Sequence, residues 1–226
     1  MVPRGLLVLF YKGGRMVATS QNTDLHGYGE GIRRELGERI PRDKKLKVLD
    51  VGTGFGINVA FLARWLAKGS TVWTVDPSKE VLAEVEASLD AESTRLIRLA
   101  VATADDLDFE DGFFDFVVSV MVLHHIEKLK PALREMARVL KPGGTMVVVD
   151  YNPQASHELE FQSRHEESDF FTPAGVAGAI GKLGMTGRAK DFGVWYLVEA
   201  KKAKAKAPPP AAAVRRPPGA KSRSGR

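Results

Sequence analysis

Val48-Leu49-Asp50-Val51-Gly52-Thr53-Gly54-Phe55-Gly56-Ile57-Asn58 is the stretch on which the reading of this chain turns. An apolar run carrying one carboxylate opens into three alternate glycines, which predicts a buried strand, a tight turn and the first residues of a helix. Such turns bring backbone close to a nucleotide-like ligand, so the spacing has to say which one. A dinucleotide fingerprint requires glycine at position 57, where Ile57 stands, and the third glycine here is Gly56, one residue early. Asp50, two positions before Gly52, would repel a pyrophosphate and would suit a cationic amine. The ligand is expected to carry positive charge near the turn.

Working outward, the downstream chain alternates between strand and helix. Val59, Leu62, Ala63, Leu66 and Ala67 recur at helical spacing, with Gly69 as the stop. Thr71 to Val75 is a second strand, and Val81, Leu82, Val85, Ser88 and Leu89 mark one face of a second helix. Leu96 to Val101 is a third strand interrupted by Arg98, and Phe114 to Met121 is a fourth. Leu129, Leu133, Met136, Ala137 and Leu140 stripe the next helix, which Lys141-Pro142-Gly143-Gly144 ends before a fifth strand, Met146 to Val149. Thr172-Pro173 has the form of a helix cap followed by proline in the first turn. Arg188 to Phe192 and Val194 to Ala200 read as a final strand pair around Gly193. This order predicts an α/β fold with a mostly parallel sheet, helices on both faces, and ligands beyond the carboxyl ends of the strands.

The 226 residues, 44% of them hydrophobic, suffice for one well-cored domain with appendages. Residues 1–45 read as a Gly13-Gly14 hairpin, a polar flap holding His26 and Tyr28, and a helix from Gly31 to Arg39. Residues 46–200 form the main domain. From Lys201 the composition turns to Lys, Ala, Pro and Arg, and residues 201–226 are expected to be a disordered basic tail. Of the 33 basic side chains nine lie in that tail, leaving 24 in the body against 28 acids, a net charge of −4. No run reaches the roughly 18 apolar residues of a membrane span, and a cytoplasmic location is expected. Cysteine is absent, which excludes disulfides, thiolate metal sites and cysteine nucleophiles.

Asp76 ends the second strand twenty residues after Gly56, where a carboxylate can accept both hydroxyls of a ribose edge. The alternative is that Asp76-Pro77-Ser78 only caps the following helix. His124 and His125 follow the fourth strand at the end of the sheet where a substrate would sit, and either can serve as a base or pack structurally. His157, Glu158, Glu160, His165, Glu166 and Glu167 are metal-ligand residue types whose spacing fits no compact site. No metal is expected.

Taken in order, Asp50 to Gly56, Asp76, the segment Asp105 to Asp115, Met121-Val122-Leu123-His124-His125-Ile126, and Leu133 to Gly144 resemble class I S-adenosylmethionine-dependent methyltransferases. The resemblance is to the branch that includes the ubiquinone and menaquinone C-methyltransferases, and it covers about residues 47–150. It implies a Rossmann-like seven-stranded sheet with a reversed last strand, and S-adenosyl-L-methionine as cofactor. It further implies Gly52, Thr53, Gly54 and Gly56 under the cofactor, Asp50 near its amino group, and Asp76 and Pro77 at its ribose. Tyr28 and Ser119 are cofactor-side candidates in the same scheme. The family commonly has an Asp where this chain has Thr103, so Asp105 or loop backbone is expected to hold the adenine.

Methylases of exocyclic base amines carry an Asn/Asp-Pro-Pro-aromatic motif where this chain reads Ser119-Val120-Met121-Val122-Leu123. The absence of cysteine excludes cytosine C5 methylation through a cysteine adduct. A small-molecule acceptor, methylated on O, N or C, is the expectation. Two alternatives stand beside it: an RNA methyltransferase that captures substrate through the basic tail, and a cofactor-binding interaction protein without catalysis.

Overall fold

A computed structural model describes residues 8–12, 15–19, 28–153 and 171–204, the first two segments as backbone. Strands β1 (Val8–Lys12) and β2 (Arg15–Thr19) pair antiparallel, as the Gly13-Gly14 reading requires. Helix α1 (Gly29–Arg39) leads into β3 (Lys47–Val51), the strand that delivers the glycine turn. Then follow α2 (Ile57–Trp65), β4 (Thr71–Asp76), α3 (Lys79–Ser88), α4 (Ala91–Leu96), β5 (Ile97–Val101) and β6 (Phe114–Val120). A single 3-10 turn, Leu123–His125, precedes α5 (Leu129–Val139) and β7 (Leu140–Tyr151). The described chain closes with α6 (Pro173–Gly181), β8 (Met185–Asp191) and β9 (Trp195–Lys202).

The main sheet has seven strands in the order β5-β4-β3-β6-β7-β9-β8. All are parallel except β9, which runs antiparallel to both β7 and β8. The strand that is last in sequence is therefore the reversed one, inserted between its neighbours. The order steps outward from β3 in both directions, so β3 and β6 flank the switch point where such sheets hold ligands.

Helices cover both faces because each strand of the centre is apolar on both sides. On one face Val48, Val72, Val118 and Val147 meet Ile32 and Leu36 of α1 and Val59, Leu62 and Ala63 of α2. On the other, Leu49, Val117, Met146 and Val198 meet Leu133 and Met136 of α5 and Val176 and Ile180 of α6. Helix α1, read as part of a separate leading segment, thus belongs to the main core, with Ile32, Leu36 and Ile40 all buried. Thr172 caps α6 by accepting from the Gly175 amide, with Pro173 at the first helical position.

The boundary drawn at Lys201 moves outward. Strand β9 continues through Lys202, whose ammonium donates to the carbonyls of Ala137 (2.7 Å), Arg138 (3.3 Å) and Leu140 (2.7 Å). Those carbonyls lie at the end of α5, where Arg138 O also accepts the Gly112 amide at 2.9 Å, and a lysine there favours the negative end of the helix dipole. Two of the nine basic residues assigned to the tail are strand residues. The remainder of the tail from residue 205 lies outside the described residues, as do His26 and residues 154–170 with their His and Glu side chains.

Candidate active site

The carboxyl ends of β3, β4 and β6 open onto a cavity of about 720 Å³. Its walls come from the glycine turn, the β4 terminus, the loop after β5, the segment after β6, and Tyr151 of β7. The turn is pinned at its start: the Gly52 and Thr53 amides both donate to Val75 O, at 2.8 and 3.0 Å. Gly52, Gly54 and Gly56 have φ of +89°, +47° and +75°, conformations that favour glycine. Their surroundings differ. A Cβ on Gly52 would lie 2.3 Å from Val122 Cγ2, a Cβ on Gly56 would lie 3.0 Å from Val85 Cγ1, and a Cβ on Gly54 would meet nothing within 4 Å. Gly54 alone of the three presents open backbone to the cavity; Gly56 is buried packing beneath α2 and is not in the wall.

Asp76 holds the start of the following helix and also faces the cavity. Its Oδ1 accepts from the Ser78 amide at 3.0 Å and its Oδ2 from the Gly54 amide at 3.2 Å, while Ser78 Oγ caps α3 at Val81 N. The same carboxylate lines the cavity, next to Pro77. Beneath the turn, Thr74 Oγ1 donates to Asp50 Oδ2 at 2.9 Å and lies 2.7 Å from Thr53 Oγ1. With the Thr74 proton used toward Asp50, the Thr53 hydroxyl is the donor of the second bond. Asp50 is fully buried, stands one layer behind the wall, and its Oδ1 has no hydrogen-bond partner among the described residues. Burial pushes its carboxyl up to about 7, against the Thr74 hydrogen bond and with the nearby Asp76 charge adding to the rise.

After β6, Met121 adopts φ +56°, in the left-handed region where a side chain is strained. Its amide donates to Val149 O at 2.8 Å, and the reversal sends the chain into the Leu123–His125 turn. That turn buries His124 and exposes His125, their ring centroids 4.1 Å apart. His124 Nδ1 lies 2.6 Å from Asp150 Oδ1, its amide donates to Asp150 Oδ2 at 3.2 Å, and the Tyr151 amide donates to Asp150 Oδ1 at 2.7 Å. The rings of Tyr151 and His124 are 5.4 Å apart. Burial, the Asp150 charge and Tyr28 push the Tyr151 hydroxyl up to about 12.

Of the residues expected at the site, Gly52, Thr53, Gly54, Asp76, Pro77, Asp105, His124 and His125 all line the cavity, as does Thr103. Ser119 does not. It pairs with Val51 and Val148 across the sheet, which buries it behind Val120 and Met121, its Oγ without a hydrogen-bond partner among the described residues. Tyr28 also stays out of the wall: it is the N-cap of α1 and packs on the apolar layer beneath. Sequence reading missed Asp150, although it ends an apolar run as Asp76 does, and it missed Met121, Phe55 and Tyr151 as wall residues. Among the described residues no group of three His, Cys, Asp or Glu side chains could hold a metal ion.

Residues 49–148 match the family model described as "Methyltransferase domain". That segment is similar to the methyltransferase family the model describes. The domain is 33% identical over 123 residues to "Methyltransferase GfsG" of Streptomyces halstedii, covering 54% of this chain and 44% of the relative. It is 31% identical over 121 residues to "O-methyltransferase rstn1" of Aspergillus nomiae, covering 54% and 53%. It is 33% identical over 106 residues to "Ubiquinone/menaquinone biosynthesis C-methyltransferase UbiE" of Neisseria meningitidis, covering 47% and 43%. The chain spans about half the length of the curated relatives it matches. In fold, the chain resembles the crystal structure of a SAM-dependent methyltransferase from Aquifex aeolicus, with TM-score 0.66 and 17% identity over 79% of this chain and 93% of that one. The PH0226 protein of Pyrococcus horikoshii is similar at TM-score 0.65 and 24% identity, over 80% and 92%. The architecture is the class I, Rossmann-like methyltransferase fold.

Proposed function

We propose that this protein transfers a methyl group from S-adenosylmethionine to a small-molecule acceptor. The observation that carries the reading is the cavity at the switch point, where an open Gly54 backbone, the Asp76 carboxylate and a buried Asp50 with an orphaned oxygen converge. These features fit the cofactor. A carboxylate has about four lone-pair sites, and Asp76 uses two on amides, which leaves capacity for the two hydroxyls of a ribose. Asp50, unpaired behind the turn, is matched by a cationic amine and mismatched by a phosphate. Thr103 and Asp105, both in the wall, are suited to the adenine edge. A cavity of about 720 Å³ is within the range of small-molecule sites.

When bound, the sulfonium supplies a methyl group that is already activated. The chain's own work is then to hold the two reactants in line and exclude water. The glycine turn and Asp76 fix one end of the cavity, and Phe55, Met121 and the two histidines form the side from which an acceptor is reached. Among the described residues no helix is long and apolar enough to cross a membrane, which supports, within this reading, an enzyme of the cytoplasm. The relatives named as O- and C-methyltransferases support a small-molecule acceptor over RNA.

Calorimetric titration with S-adenosylmethionine and with NAD tests the reading. Micromolar binding of the former and none of the latter is expected. Label from methyl-labelled S-adenosylmethionine should enter the small-molecule fraction of a cell extract, unchanged by RNase. Absence of heat with S-adenosylmethionine, or tighter binding of NAD, overturns it.

A further inference from the structure

An arginine side chain carries five N–H donors in one plane, and Arg138 of α5 uses all of them. Nε and Nη2 bond the two oxygens of Glu135, one helical turn earlier, at 2.8 and 2.7 Å. The other bonds go to the loop between β5 and β6. Nη1 donates to Phe109 O at 2.6 Å and to Asp111 Oδ1 at 2.8 Å, and Nη2 donates to Leu107 O at 2.7 Å. Glu135 Oε2 in turn accepts the Leu107 amide at 3.1 Å, and Arg138 O accepts the Gly112 amide at 2.9 Å. Neither Arg138 nor Glu135 is in the cavity wall, whereas Ala102, Thr103, Ala104 and Asp105, at the start of the same loop, are. We propose that Arg138 and Glu135 are positioning residues for the cofactor: they fix the loop from Leu107 onward, and so set the Thr103–Asp105 wall at which the adenine base is selected.

The inference rests on the S-adenosylmethionine reading and adds to it the residues that shape the base's wall from outside. The wall segment is short and is held at both ends. On one side the Ala102 amide donates to Asp76 O at 3.3 Å, which ties it to the strand end that carries the ribose-side carboxylate. A turn follows, closed by the Asp106 amide on Thr103 O at 3.2 Å. The next residue is Leu107, whose amide and carbonyl are both bonded by the Glu135–Arg138 pair. Thr103 and Asp105 therefore stand between a fixed strand end and a fixed clamp. Apolar burial does not supply the same constraint. Leu107 is buried, and the Phe109 ring packs 4.9 Å from Phe114 and 5.3 Å from Trp73, which holds the loop down but leaves the direction of its amides and carbonyls free. The loop also carries Asp105, Asp106, Asp108, Glu110 and Asp111, a concentration of like charge that favours opening and that the Arg138 guanidinium offsets. The Arg138 hydrogen bonds keep the Glu135 carboxyl below the ordinary carboxylate range, so the pair stays ionised at neutral pH. A lysine could not take over, because its ammonium is a point charge without the planar fork.

Calorimetry of the full-length protein with S-adenosylhomocysteine and with S-inosylhomocysteine, in which a carbonyl replaces the adenine amine, tests the proposal. Wild type should prefer the adenine form by about tenfold or more, the effect of leaving a site's polar groups mismatched. Arg138→Met should weaken S-adenosylhomocysteine far more than the inosine form, so that the preference falls to within about twofold as those directed contacts are lost. Glu135→Gln should move the preference the same way, and it carries the test if Arg138→Met does not fold. Arg138→Lys should not restore the preference, since it returns the charge without the fork. Amide hydrogen exchange should be at least about tenfold faster over residues 103–112 in the variants, with β5 and β6 unchanged, as expected of a local opening. Variants that keep the wild-type preference, whether or not their melting temperature falls, show a merely structural clamp and overturn the proposal. A wild-type protein that binds both ligands equally overturns it as well, because no base selection is then left to position. Failure of the wild type to bind S-adenosylhomocysteine would instead defeat the reading on which the proposal rests.

Discussion

The Asp76 carboxylate accepts the Gly54 amide at 3.2 Å, tying the end of β4 to the exposed middle of the glycine turn. The contact orients the carboxylate along the cavity wall and stops the turn from closing into the space beside it. Asp76→Ala is expected to weaken S-adenosylmethionine binding by about 10–100-fold, since a hydrogen bond to a charged group contributes roughly 1.5–3 kcal/mol. Because the Gly54 amide can turn to water, the melting temperature should fall by only a few degrees. A titration in which Asp76→Ala binds as tightly as wild type would remove Asp76 from the cofactor site.

Asp50 links stability to pH. Its folded carboxyl is raised from 3.8 to about 7 by burial, so between those values the native protein holds a proton that the unfolded chain has released. Folding should therefore be most favoured by this group below about pH 4, lose that contribution as pH rises toward 7, and level off above. Asp50→Asn removes the titration and should flatten the pH dependence of unfolding between pH 4 and 7, with a gain in stability at pH 8. A cationic amine near Oδ1 would draw the proton off, so S-adenosylmethionine binding near pH 6 should release up to one proton. Buffers of different ionisation enthalpy reveal that release in calorimetry; equal heats in all buffers at pH 6 would show that Asp50 does not respond to the ligand.

Two glycines two residues apart along the turn should respond in different ways to alanine. At Gly52 the new methyl meets Val122 at 2.3 Å and φ is +89°, so backbone strain adds to overpacking, and a loss of about 3 kcal/mol is expected by chemical denaturation. At Gly54 the space is open and φ is +47°, within the left-handed region that costs about 1 kcal/mol. Gly54→Ala should leave the fold nearly intact and weaken cofactor binding at least tenfold, because its Cβ projects where the ligand would lie. Equal effects of the two substitutions on stability would contradict this division.

The parts of the site that sequence reveals are those encoded locally. The turn from Gly52 to Gly56 and the Asp76 that ends a strand are contiguous patterns, and apolar runs announce each central strand. Helix α4 was not legible because Ala91 to Leu96 has no apolar stripe; its signal is the Asp90 cap accepting from the Ser93 amide. The His124–Asp150 pair was hidden for another reason. It depends on register, since β6 must pair with β7 so that Ser119 faces Val148 before the two side chains can meet. Register likewise decides that Ser119 is core and not wall. The face a strand residue takes alternates with each position, so a shift of one residue would reverse that assignment.

Lys202 offers a test of where the folded domain ends. Its ammonium uses its three donors on the carbonyls of Ala137, Arg138 and Leu140, at the junction where α5 passes into β7. Lys202→Met keeps the aliphatic stem and takes a donor from the Ala137 and Leu140 carbonyls, while Arg138 O keeps the Gly112 amide at 2.9 Å. A loss of about 1–2 kcal/mol is expected, from hydrogen bonds that each contribute roughly 1 kcal/mol net and a helix end that loses its cation. Lys201→Met, one position earlier on the same strand and exposed, should change stability by less than about 0.5 kcal/mol. Urea unfolding of both variants measures the difference. If the two lysines prove equivalent, Lys202 belongs functionally to the basic tail and the sheet ends before it.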